Sequence, residues 1–341
     1  MVAILDCGTT NTKCYIVDEK GGLIAEGYSE FGVKDNTQSG DREDYKRALQ
    51  KVVAEALSGA GRRESELKKV VAFGMISSDL GLVVVPHLTV PAGLKEIREG
   101  VYRVRDESIF GETVAFYLIR GIKNRLASER SLDNIYHCDF MRGEETQVMG
   151  ILERYRPKEA VNVIMFGSHV KIIHVSAEGK IVQSMTTMSG QIYDCLAKYT
   201  VVGKSIEPRG DETMTLSDEE LISMAVKTID TRGTMRAFLL PRFMESFTDM
   251  NALERRMYLN AVIAVEDLKA IREYYGEGIY AAKQYYFIGQ KERCQLFEKV
   301  LRYEQSDVEV EILDGREKNR DISIIAVLKI MKEYEEDKDE L

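Results

Sequence analysis

The stretch Val2-Ala3-Ile4-Leu5-Asp6-Cys7-Gly8-Thr9-Thr10-Asn11-Thr12-Lys13-Cys14-Tyr15-Ile16-Val17-Asp18 decides how the chain is read. An apolar run ends at Asp6, turns through Gly8, Thr9, Thr10 and Asn11, and resumes as a second apolar run. That pattern predicts two β-strands joined by a polar hairpin turn. Gly8 lets the backbone approach a ligand closely. Thr9, Thr10 and Asn11 offer hydroxyls, an amide and backbone N–H groups, all suited to oxyanions. Asp6 stands at a strand end, where one carboxylate can hold a hydrated Mg²⁺. An Asp closing a buried apolar strand carries a desolvation cost that a metal or ligand would offset. A carboxylate beside an anion-binding turn points to a nucleotide triphosphate, against the plainer reading of a hairpin with a polar tip. No helix-opening Gly-Lys-Ser/Thr follows, so the turn is not a Walker A loop.

Outward from this stretch, residues 19–22 read as a hairpin turn and residues 23–29 as a third strand, completing a meander. Residues 41–57 have helical periodicity, with Tyr45, Leu49, Val52, Val53 and Leu57 on one face. Strands are expected at 70–75, 102–104 and 113–118. Residues 82–90 read as extended because of Pro86 and Pro91. A helix is expected at 144–155, opening after Gly143. The meander then returns about 160 residues later: an apolar strand at 162–166, the turn Gly167-Ser168-His169, a strand at 171–175, Glu178-Gly179, and a strand at 180–185 closed by Ser189-Gly190. This weak internal repeat predicts two α/β domains of similar design, residues 1–155 and 156–341. The remainder reads as helices at 217–232, from 245 through 251 onward, 254–275, 292–303 and 321–334. Strands at 285–288 and 308–313 separate them, and a charged tail at 335–341 is expected to fray.

The bulk numbers narrow the function classes. A chain of 341 residues fits two domains, each large enough for its own core. Its 44% apolar and 30% charged content is ordinary for a globular protein. A net charge of −9 argues against nucleic acid or an anionic membrane as the main partner. No apolar segment approaches the roughly 20 residues of a spanning helix, and the N-terminus reads as a strand rather than a signal peptide. Cys7, Cys14, Cys138, Cys195 and Cys294 are scattered without C-x-x-C spacing, which fits reduced cytoplasmic thiols. His87, His137, His169 and His174 show no metal-ligand spacing.

Further groups could carry chemistry. In Phe140-Met141-Arg142-Gly143-Glu144-Glu145-Thr146-Gln147 a glycine opens a helix whose first turn holds two glutamates. Glutamates there complement the helix dipole in any protein; functionally, one would take a proton from a substrate hydroxyl. Arg142 would neutralise phosphate or carboxylate charge. Gly167, Ser168, His169 and Lys171 repeat the first turn in the second meander, and two such turns could clamp a triphosphate. At Ile288-Gly289-Gln290 a small residue could let an adenine ring lie against backbone, or simply turn strand into helix. Ser77, Ser78 and His87 lie on polar loops that could line a pocket for a polyhydroxylated anionic substrate, or be loop chemistry only.

Taken together, Asp6-Cys7-Gly8-Thr9-Thr10-Asn11 resembles the first phosphate motif of the sugar kinase, heat-shock protein 70 and actin superfamily. Met141-Arg142-Gly143-Glu144-Glu145-Thr146-Gln147 resembles the signature of the 2-dehydro-3-deoxygalactonokinases, bacterial enzymes of D-galactonate catabolism. Gly167 to Lys171 is similar to that family's Gly-Thr-His-x-Lys segment. Leu88-Thr89-Val90-Pro91-Ala92 and Met188-Ser189-Gly190 also fall in its order. The resemblance runs from residue 1 to about 205. It implies an α/β fold of two ribonuclease-H-like domains with the active site in an interdomain cleft. It implies ATP- and Mg²⁺-dependent phosphorylation of 2-dehydro-3-deoxy-D-galactonate at its C6 hydroxyl, by in-line transfer with a Glu base. Glu144 or Glu145, with Arg142, would be catalytic, and Asp6 would hold the metal. Gly8, Thr9, Thr10, Asn11, Lys13, Gly167, Ser168, His169, Lys171 and Gly289 would bind ATP. Ser77, Ser78, His87, Gly143 and Gln147 would bind the sugar acid. The chain departs from the family at Gln191, where a Glu is expected. It departs also at Gln290 and Lys291 after Gly289, and across Asp314-Gly315-Arg316-Glu317-Lys318-Asn319-Arg320. These departures keep two alternatives in view: a kinase for another 2-keto-3-deoxy sugar acid, or a non-catalytic relative that binds sugar acid or nucleotide. A homodimer is left open.

Overall fold

The computed structural model describes residues 1–35, 42–126, 131–276 and 282–339. It divides into two units: residues 1–158 with 176–184 and 316–341, and residues 159–175 with 185–315. The expected first boundary, after residue 155, lies close to the first of these breaks. The chain then returns twice to the first unit, which the local pattern of strands and helices did not predict.

In chain order the first unit contains β1 (Val2–Cys7), β2 (Thr12–Val17), β3 (Leu23–Ser29), α1 (Arg42–Gly59), β4 (Lys69–Gly74), β5 (Leu88–Thr89), α2 (Leu94–Glu99), β6 (Tyr102–Val104), β7 (Ala115–Leu118), β8 (Ile122–Lys123), β9 (Phe140–Met141) and α3 (Glu144–Tyr155). There follow β10 (Val161–Phe166), β11 (Val170–Val175), β12 (Ile181–Thr187), α4 (Ser189–Tyr199), α5 (Asp218–Arg232), α6 (Thr234–Phe247), α7 (Ala252–Tyr275), β13 (Gln284–Gly289), α8 (Lys291–Glu304), β14 (Glu309–Asp314) and α9 (Arg316–Asp339).

The main sheet of the first unit runs β3–β2–β1–β4–β7–β6. β1 pairs antiparallel with β2, placing Asp6 opposite Lys13, and parallel with β4, placing Cys7 opposite Gly74. β4 and β7 are also parallel, so three strands end along one edge. α1 covers one face, and its Tyr45, Leu49, Val52 and Val53 pack among Ala3, Leu5, Val70 and Ala72. Each large apolar side chain buried there contributes about 1.5–3 kcal/mol relative to exposure. A small sheet, β5–β8–β9, leads into α3. α9 packs against α3 so closely that a Cβ at Gly150 would stand 2.2 Å from the Ile322 carbonyl. Arg320 of α9 also pairs with Glu26 of β3.

The second unit repeats the plan with the sheet β12–β11–β10–β13–β14. β10 pairs antiparallel with β11 and parallel with β13, as β1 does with β2 and β4. Its core joins Phe287, Phe297 and Tyr285 to the buried face of α7, including Tyr258, Val262 and Leu268.

Three expectations are corrected. Residues 245–251 do not open a helix: α6 ends at Phe247, and Asn251 caps α7 by accepting from the Glu254 N–H. Ser189 and Gly190 do not close a strand region; they are the first turn of α4. The expected frayed tail is helical to Asp339.

Candidate functional site

Asp6 of β1, Gly74 of β4 and Gly143 before α3 stand at the same end of the first unit's parallel strands. Gly74 ends β4 at φ 89°, and a Cβ there would stand 2.5 Å from the Cys7 carbonyl. Gly143, at φ 110°, precedes α3, and a Cβ there would meet the Gly74 Cα at 3.4 Å. Two glycines stacked on a strand end let the start of α3 sit close to the end of β1. That is why Glu144 and Glu145 belong to the same corner as Asp6.

The two glutamates differ. Glu145 is fully buried, and both carboxyl oxygens accept from the Gly143 N–H, at 3.0 and 2.8 Å. The Thr146 hydroxyl donates to the same carboxyl at 3.0 Å. Burial, reinforced by the charge of Glu144, pushes its pKa up to about 8. Glu144 is half-buried and accepts from the Arg142 N–H at 3.1 Å. Glu145 thus orders the helix entry, and Glu144 is the more exposed of the two.

Arg142 is not the open anion receptor expected of it. Its guanidinium donates to Ser77 Oγ at 2.7 Å and to the Val85 carbonyl at 2.9 Å, and lies 3.5 Å from His87 Nδ1. Ser77 and Ser78, expected to face the sugar acid, are buried and donate to the carbonyls of Gly74 and Met75. They brace this corner rather than line a pocket. His87 is half-buried against Phe140, with ring centroids 5.4 Å apart. Gln147 is half-buried on the first turn of α3, its N–H on the Gly143 carbonyl.

The turn at Gly8 to Asn11 is held from behind. The Gly8 N–H donates to the Asn11 carbonyl at 2.8 Å, and the Gly8 and Thr9 carbonyls accept from Val33 and Lys34. Thr9 and Thr10 are exposed at the tip. Lys13 Nζ lies 3.2 Å from Asp6. No group of three or more His, Cys, Asp or Glu side chains suited to a metal occurs among the described residues. A single strand-end carboxylate nevertheless fits a Mg²⁺ that keeps most of its water.

In the second unit the turn at Gly167, Ser168 and His169 is exposed and rests on the start of α4. The Ser168 carbonyl accepts from the Gln191 N–H at 2.8 Å, and a Cβ at Gly190 would stand 2.2 Å from the Gly167 carbonyl. Lys171 lies instead within β11, opposite Met165, and is buried. It is not presented by the turn. Gly289 is needed for packing, since a Cβ there would stand 2.7 Å from the Phe166 Cβ.

Beside the turn opens a cavity of about 730 Å³, lined by Phe166, Gly167, Gly190, Asp267, Gln290, Arg293 and neighbours from α7 and α8. Asp267 is buried and accepts from the Thr187 hydroxyl at 2.7 Å and from the Ser189 hydroxyl. Burial raises its pKa despite these bonds. Arg293 donates to the Gly167 carbonyl at 2.7 Å and lies 5.6 Å from the Phe166 ring centroid. Sequence reasoning missed Gly74, Asp267 and Arg293. Only Gly74 carried a local signal, as a glycine closing an apolar strand.

The paired meanders, with the parallel third strand beside each, place the chain in the sugar kinase and actin fold class. A crystal structure of a Sinorhizobium meliloti protein, provisionally assigned as a 2-dehydro-3-deoxygalactonokinase, superposes with a TM-score of 0.72 at 20% identity, covering 96% of this chain and 98% of that one. The family model for 2-keto-3-deoxy-galactonokinase matches residues 6–321, and the chain belongs to that family. A probable 2-dehydro-3-deoxygalactonokinase of Rhizobium meliloti (strain 1021) is 24% identical over 204 residues, 60% of this chain. The 2-dehydro-3-deoxygalactonokinase of Escherichia coli (strain K12) is 28% identical over 144 residues, 42% of this chain. These alignments span 58% and 42% of the two curated relatives. No helix among the described residues is long and apolar enough to cross a membrane.

Proposed function

We propose that the protein is an ATP-dependent kinase that phosphorylates 2-dehydro-3-deoxy-D-galactonate at its C6 hydroxyl. The observation that carries this reading is the seat of Gly143 on Gly74, which gathers Glu144, Asp6 and the Gly8 to Asn11 turn at one strand edge. Family membership supplies the acceptor class.

Glu144 accepts the proton of the attacking hydroxyl. Glu145 holds the Gly143 N–H and so fixes the helix start from which Glu144 projects. Thr9, Thr10 and Asn11 receive phosphate oxygens through hydroxyl and amide donors; Ser168 and His169 offer donors of the same kind on the corresponding turn of the second unit. The 730 Å³ cavity beside Ser168 has the size and mixed lining suited to the adenosine moiety. Asp6 would hold Mg²⁺ through water, where the ion neutralises phosphate charge. Phosphoryl transfer asks the protein chiefly for positioning and charge stabilisation.

The test is ADP release measured with 2-dehydro-3-deoxy-D-galactonate, its C4 epimer and simple aldonic acids. Turnover should require Mg²⁺ and favour the first compound. Preference for the epimer would move the reading to another 2-keto-3-deoxy acid. ATP binding with no turnover of any acid would make the protein a binding relative. Glu144→Gln should lower kcat about 100-fold or more with the ATP KM little changed; full activity in that variant would remove Glu144 as the base.

A further inference from the structure

We propose that Arg120 binds the carboxylate of the acceptor and so sets a preference for sugar acids over neutral sugars. The proposal rests on the kinase reading above and concerns the acceptor side of the same site. β4 and β7 pair through Ala72 opposite Leu118, and the Ile119 N–H donates to the Ala72 carbonyl at 2.9 Å. Arg120 therefore stands level with Gly74, at the carboxyl ends of the three parallel strands. Ligands of open α/β sheets gather outside that edge. Its neighbour Gly121 fixes the other side: a Cβ there would stand 2.2 Å from the Met141 carbonyl, 2.6 Å from Arg142 Cγ and 2.9 Å from His87 Cδ2. Arg120 is thus tied by its own backbone between Gly74 and the Arg142–His87 cluster.

The second observation is chemical. Arg120 is half-buried, and its Nε is buried with no acceptor among the described residues. A guanidinium drawn partly out of water without a partner is costly, and a carboxylate is the anion whose planar geometry matches it in two parallel hydrogen bonds. The other cations of this corner are already engaged: Arg142 by Ser77 and Val85, Lys13 by Asp6. A 2-keto-3-deoxy acid brings one carboxylate, five carbons from its C6 hydroxyl. The residue that reads the acid end can therefore be distinct from the glutamate at the reacting end.

The experiment compares wild type, Arg120→Met and Arg120→Lys on 2-dehydro-3-deoxy-D-galactonate and on its neutral C1 amide. Wild type should favour the acid over the amide by about 30-fold or more in kcat/KM. Arg120→Met should raise the acid's KM by a similar factor, leave kcat and the ATP KM within a few-fold, and bring the acid-to-amide ratio near one. Arg120→Lys should recover part of the ratio. The melting temperature of Arg120→Met should stay level or rise, because no protein partner is lost. An unchanged acid-to-amide ratio in Arg120→Met, or a lowered melting temperature with unchanged acid KM, overturns the assignment and leaves the kinase reading standing. If wild type neither turns over nor binds the acid by calorimetry, the kinase reading falls and the Arg120 assignment with it.

Discussion

Two buried glutamates, each in the first turn of its own helix, have pKa values shifted in opposite directions. Glu145 receives the Gly143 N–H and the Thr146 hydroxyl, and burial with Glu144 nearby leaves its pKa at about 8. Glu254 opens α7; burial pushes its pKa up, but bonds from Thr215, Leu216 and Asn251 outweigh it and bring the value to about 2. Burial raises both; the charge of Glu144 adds to it at Glu145, whereas the donors around Glu254 outweigh it. Linkage then separates their effects on stability. For Glu145 the folded value lies above the ordinary 4.5, so its contribution is full below about 4.5 and is lost as pH rises toward 8. For Glu254 the folded value lies below 4.5, so its contribution is full above about 4.5 and is lost as pH falls toward 2. Urea midpoints of Glu145→Gln should fall less than those of wild type between pH 5 and pH 8, and those of Glu254→Gln should fall less between pH 4.5 and pH 2.5. Parallel profiles for either variant and wild type would refute the assignment for that residue.

Elements were legible where local chemistry and packing agree. α3 was read to the residue because Gly143 opens it, two acids fill its first turn, and Val148, Met149 and Ile151 keep helical spacing on a buried face. α4 was missed because Ser189-Gly190 reads locally as a turn. Gly190 is there because the Gly167 carbonyl presses on the helix start, a contact between segments more than 20 residues apart. α6 was hidden by Pro241, which the helix accommodates in its interior. Of the candidate site, Gly8 to Asn11 and Gly167 to His169 are legible in the sequence as turns, since polar hairpin tips declare themselves. The roles of Ser77, Ser78, Arg142 and Lys171 were not, because burial and partner choice are tertiary facts. The glycine stack joining β1, β4 and α3 makes its own prediction. Gly74→Ala should cost roughly 1–3 kcal/mol and lower kcat/KM about 100-fold, because the new Cβ must displace Cys7 and with it Asp6. Gly111 is the control: it too has positive φ, 81°, but a Cβ there would meet nothing within 4 Å. Gly111→Ala should lose some stability and keep its activity. Equal activity losses in the two variants would mean that backbone strain, not the strand-end seat, is what matters at Gly74.

At the scale of the whole molecule, the division of the chain follows packing rather than sequence order. Cutting after residue 155 looks natural, because a complete meander with its helices lies on each side. The first unit nevertheless takes back residues 316–341. α9 buries Ile322, Ala326, Val327, Ile330 and Met331, lays its backbone on Gly150 of α3, and ties Arg320 to Glu26. α3 is the helix that presents Glu144, so α9 forms the far wall behind the proposed base. Burial of the four large side chains of α9 among these, Ile322, Val327, Ile330 and Met331, contributes about 6–12 kcal/mol, comparable with the whole net stability of a domain, about 5–15 kcal/mol. A fragment of residues 1–158 should therefore show helical circular dichroism without a cooperative thermal transition. Joining residues 316–341 to it through a short Gly/Ser linker should restore a sharp transition. In the full-length protein, Gly150→Val should lower the melting temperature by several degrees by prising α9 from α3. A cooperative melt of the unassisted 1–158 fragment would show that α9 is an accessory to the first unit rather than part of its core.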